Sequence, residues 1–176
     1  LLELQRLAKV HASSTRNVAR TAPALKPMPG CRARLELAAG LMVALDRRIP
    51  DNVERLRAGK WDKKSFSEAR GLYGRTLGLA GFGPIGREMA RRGLGFGMRV
   101  LAWSRSLDDR AAREQGVERA PDLVTLARQS DVLSLHLPLS KETRGLVGRA
   151  VLEALPAGAL LINTARAEVV DQAALL

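Results

Sequence analysis

From Leu35 onward apolar residues return every four positions, at Leu37, Leu41, Leu45, Ile49 and Val53, with Met42 and Leu56 beside them. That period predicts an amphipathic helix. Pro50 predicts a kink or restart within it, with Asp51 and Asn52 as cap-type side chains. The apolar stripe suits two roles that the pattern leaves open: lying on the helix's own domain, or also carrying a partner subunit. Beyond Arg75 the period changes. Apolar runs at Thr76–Ala80, Met98–Trp103, Asp131–Leu137 and Ala159–Ile162 read as strands, and Gly116-Val117 as the entry to a short further one. Between them, helical patterns cover the stretch after Gly86, then Leu107–Gln115, Pro121–Gln129 with proline in its first turn, and Val147–Leu155. Alternating strands and helices predict an α/β fold with a doubly wound parallel sheet, Rossmann-like, preceded by a long linker or dimerisation helix.

Thr76–Arg105 organises the rest. A strand runs into Gly81-Phe82-Gly83-Pro84-Ile85-Gly86, a helix follows, and a second strand comes next. The three glycines have separate tasks: Gly81 permits the tight turn, Gly83 lets backbone approach a pyrophosphate, and Gly86 lets helix and strand pack closely. The helix then offers its free N–H groups and positive dipole end to phosphates. In such sheets ligands sit at the carboxyl ends of strands. One rim therefore gathers Gly81–Gly86, Ser104-Arg105, Leu137-Pro138 and Thr164-Ala165-Arg166.

The ends of the chain are less regular. Leu1–Val10 has helical spacing, and the serines and prolines from Ser13 to Pro29 interrupt it. Residues 1–34 are expected to be an irregular segment, and 35–176 a nucleotide-binding domain. Residues 58–74 read as a long, polar, glycine-punctuated loop holding three of the six aromatics, Trp61, Phe66 and Tyr73, as candidate interface residues.

Composition changes the picture little. The net charge of +11 suggests nucleic acid until it is divided: residues 1–35 hold seven Lys/Arg against Glu3, and the remainder 22 against 17. The basic arm lacks interleaved aromatics, so no nucleic-acid partner is expected. No apolar run reaches the roughly 20 residues of a membrane span, and no signal-peptide succession opens the chain, so no membrane and a cytoplasmic location are expected. Cys31 is the single cysteine and no Cys/His cluster has ligand spacing, so no metal is expected.

Candidate chemistry lies on the rim. An acid ending the second strand would accept from the ribose hydroxyls and repel a 2′-phosphate; Ser104-Arg105 stands there instead, which favours NADP slightly over NAD. Asp108 and Asp109 complicate that field. Arg166, following a buried strand, suits a bidentate grip on a substrate carboxylate. His136 lies in an alternating apolar strand and reads as a packed, satisfied histidine rather than a catalytic one. Cys31, Glu168 and Asp171 read as structural.

The runs LYGRTLGLAGFGPIG, FGMRVLAWSR, SDVLSLHLPLSKETRGLV and ALPAGALLINTARAEVVDQAAL, in that order, resemble the nucleotide-binding domain of the D-isomer-specific 2-hydroxyacid dehydrogenases, the group containing D-3-phosphoglycerate dehydrogenase. The resemblance spans about residues 36–176. It includes segments around Asp46–Pro50 and LRAGKWD. It implies a two-domain, usually dimeric enzyme that moves a hydride between NAD or NADP and a 2-hydroxy or 2-keto acid, with the homodimer formed through the 35–75 region. It further implies that Arg166 binds and polarises substrate, with a later His as general acid/base and a Glu tuning it. Pro84 and Ile85 match positions touching the pyrophosphate, and Ser104 and Arg105 the ribose selector. Leu137, Pro138, Thr164 and Ala165 match the wall around the nicotinamide. Ala167 replaces the glycine usual after the catalytic Arg, and the matching Glu and His would fall beyond Leu176. The resemblance thus implies that residues 1–34 are a remnant of or replacement for the substrate domain and that 35–176 are a nucleotide-binding domain incomplete at its C-terminus. The expectation is a fragment or disrupted-frame product of such an enzyme, with negligible turnover; the alternative is a stand-alone, catalytically inactive NAD(P)-binding or partner-binding module.

Overall fold

The structure, a computed structural model, describes residues 31–175; the expectations for 1–30 lie outside the described residues. Two helices come first, α1 (Cys31–Asp46) and α2 (Ile49–Arg57), then the short α3 (Lys63–Ser67). Strands and helices then alternate: β1 (Thr76–Ala80), α4 (Pro84–Gly95), β2 (Arg99–Trp103), α5 (Asp109–Glu114), β3 (Glu118–Arg119), α6 (Leu123–Arg128), β4 (Val132–Leu135), α7 (Arg149–Glu153) and β5 (Leu160–Asn163). A 3₁₀ turn at Ala167–Val169 and α8 (Gln172–Leu175) close the described part.

All five strands are parallel, in the order β3-β2-β1-β4-β5. β1 is central, and the chain reverses its direction of travel between β1 and β4. Side chains alternate across the sheet. Leu77 and Leu79 of β1 share one face with Val100, Ala102, Val132 and Ile162, covered by α1 and α4; Ala80, Leu101, Leu133 and Leu135 share the other, covered by α6 and α7. Gly78 permits the close approach of α6, since a Cβ there would lie 1.9 Å from the Ser130 hydroxyl.

Aspartates start three of the helices: Asp62, Asp108 and Asp122 accept hydrogen bonds from the backbone N–H of Ser65, Ala111 and Thr125. At the edge opposite the glycine turn, buried Arg75 ties three elements together. It donates to Asp46 at the end of α1 (2.8 Å) and to the Asp131 carbonyl before β4 (3.2 Å), while the Asp131 carboxylate accepts from Thr76 N–H (2.9 Å).

Several expectations need correction. The helix expected from Leu35 begins at Cys31, and it breaks at Arg47-Arg48 rather than bending through Pro50. Arg48 takes a left-handed conformation (φ 51°), Pro50 sits in the first turn of α2, and Asp51 pairs with Arg48 (3.0 Å) instead of capping. The buried face of α1 is Leu35, Ala38 and Met42, so the four-residue stripe Leu37, Leu41, Leu45, Ile49 and Val53 faces outward at 38–55% exposure. The 58–74 loop contains α3. Within it Phe66 is buried beneath Arg48 and Arg55, whereas Trp61 and Tyr73 are exposed. Gly116 (φ 69°) ends α5, so β3 starts at Glu118. Pro121 stands outside α6 because Asp122 is the cap residue. Val147 bridges Val170, and α7 starts only after Gly148.

Candidate functional site

The site forms where β1 and β4 part company, because helices leaving in opposite directions open a crevice at their carboxyl ends. Gly81 leaves β1 at φ 99° with its N–H donated to the Trp103 carbonyl (2.8 Å), and His136 N–H donates to the Ala80 carbonyl (2.8 Å). A Cβ on Gly81 would lie 2.5 Å from the His136 carbonyl oxygen, and one on Gly86 2.2 Å from the Gly81 carbonyl oxygen. Those two glycines are demanded by the protein itself. Gly83 is different: its φ is −75°, and a Cβ there would meet nothing within 4 Å. Its bare backbone lines the adjoining cavity, where it leaves room for a ligand to approach the start of α4. No side chain caps α4, and Pro84 occupies its first turn, so the N–H groups of Ile85 and Gly86 lack partners within the helix.

The cavity measures about 460 Å³ and is lined by both glycine-turn and strand-end residues, among them Gly81, Gly83, Ser104, Arg105, Leu137 and Pro138. Six of the twelve sequence-predicted site residues thus meet there. Pro84, Ile85 and Gly86 form the first turn of α4 beside it, with Ile85 packed on the core and Gly86 buried. Thr164, Ala165 and Arg166 follow β5 on the same rim but outside the lining. There the Asn163 side chain accepts from Ala165 N–H (3.0 Å) and donates to the Arg166 carbonyl (2.9 Å). The Arg166 guanidinium is exposed and donates to the Ala165 carbonyl (2.9 Å).

The lining also contains residues that the sequence did not single out: Phe82, Arg87, Trp103, Glu142, Thr143 and Leu146. Arg87 carried a signal, since it follows the third glycine in the first turn of the helix. Glu142 carried none, because only folding brings the loop after β4 to the end of β2. His136 joins the lining too. Its ring is half-buried, its Nε2 lies 3.0 Å from the Ser134 hydroxyl, and burial pushes its pKa down to about 4, so it stands neutral at pH 7. The reading of it as a satisfied histidine fits that bond, and its place on the cavity wall adds to it.

Chemically the cavity combines an open glycine backbone, a helix N-terminus and two arginines, Arg87 and Arg105, that enter no ion pair among the described residues. The donors suit phosphate groups. The neighbouring Leu137, Leu146 and Trp103 suit flat apolar rings. Such a crevice at the switch point of a doubly wound sheet defines a dinucleotide-binding domain.

The family model for the NAD-binding domain of D-isomer specific 2-hydroxyacid dehydrogenases matches residues 39–176, and the chain belongs to that family. It is 41% identical over 150 residues to a glyoxylate reductase from Thermococcus litoralis, covering 82% of this chain and 45% of that protein. It is 36% identical over 140 residues to the D-3-phosphoglycerate dehydrogenase of Methanocaldococcus jannaschii, covering 80% of this chain and 26% of that one. A D-lactate dehydrogenase from Aquifex aeolicus, solved as a complex with NAD and lactic acid, superposes with a TM-score of 0.77 at 33% identity, over 84% of this chain and 44% of that one. The chain thus spans less than half the length of these relatives. Among the described residues, no helix is long and apolar enough to cross a membrane.

Proposed function

We propose that this chain forms the cofactor-binding part of a phosphoglycerate dehydrogenase-like oxidoreductase that transfers a hydride between NAD(P) and a small 2-hydroxy or 2-keto acid. The observation that carries the reading is the cavity at the glycine turn, where the Gly83 backbone and the uncapped first turn of α4 meet Arg87 and Arg105. The nicotinamide cofactor, when bound, supplies the hydride acceptor or donor. This chain's own contribution is positioning. The first turn of α4 and Arg87 would receive the pyrophosphate, Ser104 and Arg105 the adenosine ribose, and Leu137, Pro138, Thr164 and Ala165 the nicotinamide half. Arg105 favours NADP slightly. Arg166 would swing from the Ala165 carbonyl to grip and polarise the substrate carboxylate or carbonyl, a role in keeping with its exposure. We further propose a cytoplasmic homodimer, joined through the 35–75 region, without a nucleic-acid or membrane partner.

A second reading, a binding module without turnover, is favoured by the position of Arg166 outside the cavity lining. Both readings predict cofactor binding by this chain. The test of their common ground is a fluorescence titration of the 176-residue chain with NADH and NADPH. Gly83→Asp fills the bare position with a carboxylate at a helix cap, so affinity for both cofactors should fall at least tenfold while thermal stability holds or rises slightly. Gly86→Ala, facing a 2.2 Å contact, should instead lower the melting temperature. Unchanged binding in Gly83→Asp would contradict the assignment.

A further inference from the structure

The loop that follows β4 brings an acid into the cavity at the end where Arg105 stands. Glu142 is the acidic residue among the lining side chains. The two sequence neighbours of Arg105 that were expected to shape its field are engaged elsewhere: Asp108 accepts from Ala111 N–H at the start of α5 (2.7 Å), and Asp109 pairs with Arg119 (3.6 Å). Glu142, by contrast, is held at the cavity. The buried Thr143 beside it donates its hydroxyl to the Pro138 carbonyl (2.6 Å) and accepts from Ser140 N–H (2.8 Å), which fixes the backbone of the loop. The Ser140 hydroxyl then donates to the Glu142 carboxylate (2.6 Å), which fixes the side chain. That hydroxyl first, the residue's own backbone N–H next and the Arg105 charge last hold the Glu142 carboxyl below the usual carboxylate range. The carboxylate is therefore ionised wherever a cofactor would bind, and it feels the guanidinium.

We propose that Glu142 is a specificity-determining residue of this cavity, opposing Arg105 and restraining the preference for a 2′-phosphate that Arg105 alone would impose. This rests on the reading of the cavity as a dinucleotide site. A ribose with free hydroxyls brings no charge and can be met by a carboxylate and a serine hydroxyl alike. A 2′-phosphate brings about −1.5 to −2 charges beside a fixed negative group, and part of the attraction from Arg105 is cancelled. The device replaces the acid normally expected at the end of β2 with one delivered from the loop after β4, two strands away. It makes cofactor choice a balance between two opposite charges rather than the property of one residue.

The experiment is titration of NADH and NADPH, separately, into the wild-type chain and its Glu142→Gln, Glu142→Asp and Ser140→Ala variants, with thermal melting checked for each. Glu142→Gln should tighten NADPH by about three- to tenfold while NADH changes less than about twofold, and the gain should shrink as salt is added. Glu142→Asp keeps the charge and should keep the wild-type ratio. Ser140→Ala frees the carboxylate and should shift the ratio the same way as Glu142→Gln, by less. Binding of both cofactors with an unchanged NADPH:NADH ratio in Glu142→Gln overturns the inference and leaves the dinucleotide reading standing. Absence of either cofactor's binding to every chain that melts normally overturns the dinucleotide reading, and the inference with it.

Discussion

His136 shows how a single residue can couple the wall of the cavity to the stability of the sheet. Burial makes its protonated form costly, so its pKa falls from 6.5 to about 4 on folding. Between those values the unfolded chain binds more protons than the folded one, and stability must fall as pH falls. The full stability is present above about pH 6.5, and up to about 3 kcal/mol is lost as pH drops toward 4. Urea denaturation at pH 4.5 and 7 should show this slope, and His136→Gln should flatten it; equal slopes in the two proteins would rule the histidine out as its source. At this scale the glycine turn was legible because each glycine's task is set within a few residues. The ring of His136 was half legible: its alternation with Ser134 announced burial, whereas its place on a cavity needed the β1 turn to be folded against it. Glu142 was illegible because its chemical neighbour, Arg105, is 37 positions away in the chain.

Among the elements, α1 is the one whose pattern was read but whose orientation was not. A four-residue period establishes that a helix has an apolar stripe; it does not say which stripe turns inward when a second one exists. Here the inner face uses Leu35, Ala38 and Met42, smaller on average and matched to α4, and the outer face keeps Leu37, Leu41, Leu45 and, across the break, Ile49 and Val53. An apolar row of that length left in water favours association. Sedimentation equilibrium should therefore give a dimer mass for the wild-type chain, and Leu41→Glu with Leu45→Glu should give a monomer that retains cofactor affinity. A wild-type monomer at tens of micromolar would remove the stripe as an interface. Three strands, β1, β2 and β5, were legible to within a residue at each end, because each is a short apolar run. The run read as Asp131–Leu137 outlasts β4, and β3, Glu118-Arg119, has no apolar run to announce it. Helix boundaries shifted where a cap residue or a left-handed glycine overrode periodicity, as at Asp122 and Gly116.

For the molecule as a whole, alternating strands and helices prescribed the parallel sheet, and the glycine turn marked the strand at its centre. What the sequence left open was which strand would stand beside β1 on its second side, because parallel pairing is set by packing over long separations rather than by any local turn. The Arg75 and Asp131 connection records that choice, and it has a kinetic consequence. β1 meets β2 across 23 positions, Thr76 to Arg99, but its bond to the strand on its other side, Thr76 to Asp131, spans 55. Closing the larger loop costs about 0.8 kcal/mol more entropy, and α4 helps only the first seam, so β1 and β2 should zip before β4 arrives. Pulse-labelled hydrogen exchange during refolding should protect Gly81 N–H, bonded to Trp103, earlier than His136 N–H, bonded to Ala80; the reverse order would refute the sequence of events. The phosphate cradle is thus assembled early, yet the pocket it serves is walled only when the second seam closes. A dinucleotide spanning both would act as a latch on the later one, slowing the opening of the sheet as well as occupying its crevice.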